Sequence, residues 1–240
     1  MLYIVGLGLN EKGICVEGLE AVKKCKSTYL ESYTVEFPYS IECLEGVIGK
    51  KIISLSRDDV ESDRLIKESR KKDICLLVYG SPLFATTHVS LIDECKDCKV
   101  KVKVIHSSSV FDAIADTGLQ LYKFGKISSM PKWQENFRPD SFLDFVEENK
   151  KIFAHSLILV DIGLGFEDAL DELIEASKTK KIDLGDILVC SRMGTSKAKV
   201  FYGCVGKLKL LEKKVFAPFC FIIPEKMHFL EENVVKDFSI

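Results

Sequence analysis

The chain is predicted to be an α/β protein of two domains, the first built on a parallel sheet and the second on a mixed one. Three observations predict this. Through the N-terminal part, short apolar runs suited to buried strands alternate with segments whose apolar residues recur at helical spacing. Beyond Gly118, strand-like runs follow one another with little helix between them, the order of a mixed or antiparallel sheet. At 240 residues and 47% hydrophobic content, the chain is long enough to fill a core in each domain.

Strands are expected at residues 2–5, 51–55, 74–79 and 100–105, with a further one at 28–35. Helices at 16–26, 41–49, 60–71 and 86–95 would connect them and cover both faces of the sheet. In the second domain strands are expected at 126–130, 156–162, 187–190, 199–208 and 219–223, and helices at 141–148 and 167–177. The junction falls within 107–118, giving domains of residues 1–110 and 111–240. A ligand cleft is expected between them, since domain interfaces are frequent ligand sites.

Thirty-four basic residues nearly balance thirty-six acidic ones, so no global field draws the protein to nucleic acid or to an anionic membrane. The basic run at 207–214 carries Glu212 and interleaved leucines and reads as a solvated strand or helix edge. Met1 leads into apolar residues without a basic leader, and no apolar stretch approaches the roughly 20 residues needed to span a bilayer. A cytoplasmic location is expected. Nine cysteines scattered through apolar runs fit reduced core thiols. Cys95 and Cys98 have CxxC spacing, but no second pair accompanies them and the histidines are dispersed, so no metal is expected.

Three loops stand at the expected C-terminal ends of buried strands, where open α/β sheets hold their ligands. Gly6-Leu7-Gly8 follows the first strand. A dinucleotide fingerprint would need a third glycine where this chain has Glu11, whose carboxylate would repel a pyrophosphate. Gly80-Ser81-Pro82 joins a residue free to turn sharply with one of fixed backbone, and Thr86 or Thr87 can cap the helix that follows. Ser107-Ser108-Ser109 opens a helix expected over 110–115, where hydroxyls can cap free amides or leave them for a ligand carboxylate.

In order and spacing these segments resemble the diphthine synthases, a branch of the tetrapyrrole-methylase-like methyltransferases. The likeness runs through Leu2-Tyr3, Gly6-Leu7-Gly8-Leu9, Gly18-Leu19-Glu20 and Arg57-Asp58-Asp59-Val60-Glu61. It continues through Ala85-Thr86-Thr87-His88, Val104-Ile105-His106, the stretch from Gly118 to Gly125, and Leu159-Val160-Asp161-Ile162. Trp133 and Phe137-Arg138-Pro139-Asp140-Ser141-Phe142 are similar to eukaryotic members. The resemblance implies a two-domain tetrapyrrole-methylase-like fold that binds S-adenosylmethionine, and releases S-adenosylhomocysteine, in the cleft between the domains. It assigns the cofactor contacts to Leu9, Ser81, Phe84, Ser109, Val110, Val160, Met193 and Phe219. Ser81 stands where the family has Asp, and Phe84 where it has Gly. A serine keeps a hydrogen bond to the cofactor but loses the charge-assisted one.

The resemblance further implies repeated methylation of the amino group of a 3-amino-3-carboxypropyl side chain on one histidine of translation elongation factor 2, in diphthamide biosynthesis. Eukaryotic members also esterify the carboxylate, and a homodimer is expected from the family alone. Methyl transfer from a sulfonium is a displacement governed by alignment, so no acid/base pair is required and no catalytic residue is assigned. His106 and Asp161 lie at strand ends, either as bases or as structural caps. Phe84 or Phe219 could face a quaternary ammonium product, or simply fill the core. Two other readings stay open: a tetrapyrrole methyltransferase of the same fold, which needs a broad apolar trough, and a noncatalytic binding module, which the changes at Ser81 and Phe84 would suit.

Overall fold

The structure, a computed structural model, describes residues 1–240, and the chain divides into two compact units, Met1–Val110 and Phe111–Ile240. The first unit contains β1 (Leu2–Gly6), α1 (Val16–Lys24), β2 (Ser27–Glu31), α2 (Ile41–Ile48), β3 (Ile53–Leu55), α3 (Arg57–Glu61), α4 (Arg64–Ser69), β4 (Ile74–Val78), α5 (His88–Asp97) and β5 (Val102–Ile105). A short helix, α6 (Val110–Ala113), starts at the junction.

All five strands of the first sheet are parallel, in the order β3-β2-β4-β1-β5. The central strands β1 and β4 read as unbroken apolar runs because alternate side chains are buried on opposite faces. Leu2, Ile4, Leu76 and Val78 pack with Val60, Leu65, Ile66 and Leu91. Val5, Cys75 and Leu77 instead join Ala21, Val22, Leu44 and Ile48, from α1 and α2. Helices therefore cover both faces, as the alternating pattern predicts.

Two expectations are corrected here. The helix expected at 60–71 is two helices. It starts earlier because Ser56 and Asp59 form a reciprocal capping box ahead of α3. It breaks at Ser62, whose extended backbone lets its hydroxyl donate to Asp59 O and accept from Arg64 N. The strand expected at 28–35 ends at Glu31, because that carboxylate accepts the amides of Tyr33 and Thr34 and turns the chain.

Gly46 is exposed within α2, and nothing lies within 4 Å of where its Cβ would stand. Gly46→Ala is expected to raise stability by about 0.5–1 kcal/mol, because alanine loses less backbone entropy on entering a helix. A higher urea midpoint would show it, and a lower one would contradict it.

The second unit contains β6 (Ser128–Met130), α7 (Phe142–Lys151), β7 (Ser156–Val160), α8 (Phe166–Lys180), β8 (Asp186–Ser191), β9 (Lys199–Cys204), α9 (Val205–Leu208), β10 (Phe219–Ile223) and α10 (Phe229–Lys236). Its sheet runs β6-β7-β10-β8-β9, with β6 parallel to β7 and the other pairs antiparallel. Phe142, Leu143 and Val146 of α7 and Ala169, Leu170 and Leu173 of α8 share one core with Ile158, Val189 and Phe221 of the strands.

The strand expected at 199–208 stops at Cys204, where the chain coils into α9 and then a 3-10 helix, Lys209–Lys214. Leu208 and Leu211 turn inward there while the lysines at 207, 209, 213 and 214 stay exposed, so the basic run is a solvated helical edge. Helix α10 was not expected. It is started by a box in which His228 N donates to Glu231 Oε2 at 2.7 Å and Leu230 N donates to His228 Nδ1 at 3.4 Å. No helix is long and apolar enough to cross a membrane.

Candidate functional site

Because β4, β1 and β5 are adjacent and parallel, their C-terminal ends reach the same edge of the sheet. The loops leaving them touch. Gly80 N donates to Gly8 O at 2.9 Å and Gly8 N to Gly80 O at 3.2 Å. A Cβ on Gly6 would lie 2.7 Å from Gly80 O, 2.9 Å from Pro82 Cδ and 3.0 Å from Ser107 N, so all three loops meet where no side chain fits. Gly80 has a φ of +69°, the left-handed turn that glycine adopts at little cost. The Ser107 hydroxyl donates to Gly13 O at 2.9 Å, tying the third loop to the first instead of capping a helix.

Five of the residues assigned by resemblance lie in these loops or, for Val110, at the start of the helix that follows. Leu9 and Ser109 are buried, and Ser81, Phe84 and Val110 are half-buried. The Leu9 carbonyl is fixed by the Tyr79 hydroxyl, 3.1 Å away. Tyr79 packs edge-on against Phe37, and burial pushes its phenol above the usual range, so it remains a donor. The sequence reading took Tyr79 only as the end of a strand. The expected threonine cap of α5 is also corrected: Thr87 occupies the cap position but its side chain does not cap the helix, while Thr86 Oγ1 is drawn to Pro82 O at 2.7 Å.

The other three lie together at one end of the second sheet. Phe219, at the start of β10, pairs with Ser191 at the end of β8, and Met193 follows two residues later. Cys220 pairs with Leu159, so Phe219 and Val160 are the next residues along their strands. Phe219 is buried edge-on against Phe166 and Phe221, with centroids 5.7 and 5.9 Å away. Asp161 is a cap: its Oδ1 accepts from Ile162 N at 2.9 Å and its Oδ2 from Lys132 N at 3.2 Å. The Trp133 motif is likewise structural, with the indole donating to Pro139 O at 3.0 Å and the Arg138 guanidinium 5.7 Å from the ring centre.

Residues 1–209 match the family model of the tetrapyrrole (corrin/porphyrin) methylases. Over 254 residues the chain is 37% identical to the diphthine synthase of Methanocaldococcus jannaschii, an alignment covering 98% of each protein. The chain belongs to the tetrapyrrole methylase family, among its diphthine synthases. It is also 44% identical to the diphthine methyl ester synthase of Schizosaccharomyces pombe over 68% of this chain, a match spanning only 58% of that protein. A solved diphthine synthase structure superposes with a TM-score of 0.90 at 31% identity, covering 99% of this chain and 95% of the other. This tetrapyrrole methylase thus carries a parallel sheet and a mixed sheet, as the resemblance implied.

Proposed function

We propose that this chain uses S-adenosylmethionine to methylate the 3-amino-3-carboxypropyl group on a histidine of translation elongation factor 2, the step of diphthamide biosynthesis that its relatives' names denote. One observation carries the reading. In a chain matching a diphthine synthase end to end, the β1, β4 and β5 loops converge at the sheet edge where α/β proteins bind ligands. The residues fit the donor. In the first unit Leu9 and Val110 would hold apolar parts of the donor and the Ser81 and Ser109 hydroxyls its polar ones, while the roles of Val160, Met193 and Phe219 in the second unit follow from the resemblance.

Bound S-adenosylmethionine supplies an electrophilic methyl group on a cationic sulfur. The chain's own task is orientation, which the interlocked loops provide through the paired Gly8–Gly80 backbone bonds and the Ser81–Phe84 turn. Val160 and Phe219 pack within the apolar core of the second unit, and an acceptor amine held beside them would be favoured in its neutral, nucleophilic form. Asp161 gives both oxygens to backbone amides, which makes it a cap of this turn. The same proposal includes a cytoplasmic homodimer acting on the elongation factor.

Calorimetry with S-adenosylhomocysteine, followed by mass spectrometry of elongation factor 2 after incubation with enzyme and donor, tests the reading. Mass added in single-methyl steps supports it; absence of both binding and added mass refutes it. Ser81→Asp, which restores the family's acid, is expected to tighten donor binding by about 1 kcal/mol, roughly fivefold, through a charge-assisted hydrogen bond. Unchanged or weaker affinity would place Ser81 away from the donor.

A further inference from the structure

His88, the first residue of α5, is 1% exposed, and its Nδ1 lies 3.0 Å from Pro82 O. A carbonyl can only accept, so Nδ1 carries a proton and donates. Thr86 Oγ1 donates to the same oxygen, so two side chains hold one loop carbonyl. The ring's other nitrogen, Nε2, has no hydrogen-bond partner and faces Glu31 Oε2 at 3.7 Å. Glu31 is fully buried and is itself anchored, by Tyr33 N at 3.2 Å, Thr34 N at 3.1 Å and the Thr34 hydroxyl at 2.8 Å.

The sheet order gives this arrangement its meaning. β4 lies between β1 and β2, and the loop after it is braced from both neighbours. From the loop after β1 come the paired backbone bonds of Gly8 with Gly80. From β2 comes Glu31, which faces the ring that grips Pro82. Pro82 sits inside the turn closed by Phe84 N donating to Ser81 O at 3.1 Å. Burying a histidine and a glutamate costs free energy that a leucine here would not, so ordinary core packing does not account for the pair.

We propose that His88 is a positioning residue for the methyl donor: by gripping the Pro82 carbonyl it fixes the turn that presents Ser81 and Phe84. The proposal rests on the donor reading above and adds a residue that touches neither donor nor acceptor.

The test compares His88→Asn, His88→Gln, His88→Ala and Thr86→Val by S-adenosylhomocysteine calorimetry, by KM for the donor and kcat at saturating donor, and by thermal midpoint. An asparagine amide nitrogen can replace Nδ1, whereas a glutamine amide reaches only the Nε2 position. His88→Asn is therefore expected to keep its affinity within about threefold of the parent, while His88→Gln and His88→Ala lose about tenfold or more, as for a lost buried hydrogen bond. Thr86→Val, which removes the second donor, is expected to lose about threefold. KM for the donor should follow affinity, with kcat at saturation within about twofold of the parent, since a donor once bound is aligned by the remaining loop contacts.

Equal affinity in His88→Ala and the parent, or a His88→Asn variant as weak as His88→Ala, overturns the proposal. So does a loss confined to kcat or to the thermal midpoint. A parent protein that binds no S-adenosylhomocysteine overturns the donor reading beneath it. If His88→Ala does not fold, the asparagine, glutamine and Thr86→Val variants decide.

Discussion

Glu231→Gln is expected to lower stability at neutral pH by about 3–5 kcal/mol, the usual cost of breaking one side of a buried ion pair. Glu231 is fully buried at the start of α10 and accepts from four donors: the Lys123 ammonium, Gln120 N at 2.9 Å, His228 N at 2.7 Å and His155 Nε2 at 3.2 Å. The imidazole has a fixed tautomer, because Glu225 N donates to His155 Nδ1 at 2.9 Å and so Nε2 carries the proton. A glutamine would face four donors with one oxygen and no charge.

The same cluster sets an acid dependence. Burial alone would raise the Glu231 carboxyl, but the Lys123 ammonium and the amides of Gln120 and His228 outweigh it and bring it from 4.5 down to about 2. The unfolded chain therefore binds the proton more readily, and the stabilisation, about 3 kcal/mol at one unit per 1.36 kcal/mol, is whole above pH 4.5 and fades toward pH 2. His155 acts in the same direction. Burial pushes its imidazole below 6.5, against the pull of Glu231, so its contribution fades as pH falls through 6.5. Urea midpoints between pH 7 and pH 3 should fall steeply for the parent, and Glu231→Gln should lack the part of that fall below pH 4.5. A variant matching the parent at pH 7, or keeping the same acid slope, would remove Glu231 from this role.

This clasp also shows where sequence reading stops. β1 and β4 were legible because their burial on both faces leaves continuous apolar runs, and the converging loops because each follows such a run. Helix α10 was not, since Phe229 and Leu230 stay exposed and its anchor is a buried acid, which apolar periodicity does not register. Gly125 carries a similar lesson. Its Cβ would lie 2.1 Å from Asn149 Oδ1, an amide that also bonds both backbone groups of Lys126, and nothing local to the glycine announces that partner. His88 was visible within a motif, but its link to Glu31 joins the start of α5 to the end of β2, neighbours only once the sheet order is known.

Gly6→Ala tests the candidate site with the largest expected effect on binding. The atoms a new Cβ would meet are a backbone carbonyl of Gly80 at 2.7 Å, a proline ring carbon at 2.9 Å and a backbone nitrogen of Ser107 at 3.0 Å, none of which can swing aside. Gly6 itself is held in the sheet opposite Val78, so the strain falls on the loops. Overpacking of this kind costs about 1–3 kcal/mol. Where the displaced loops are those that hold the donor, the same free energy appears as a loss of S-adenosylhomocysteine affinity of roughly 5- to 150-fold. Gly46→Ala, with open space around its Cβ, serves as the control that should leave affinity untouched. If Gly6→Ala lost stability yet bound S-adenosylhomocysteine as tightly as the parent, the strain would have been absorbed without disturbing the ligand, and this edge of the sheet could not be the donor site.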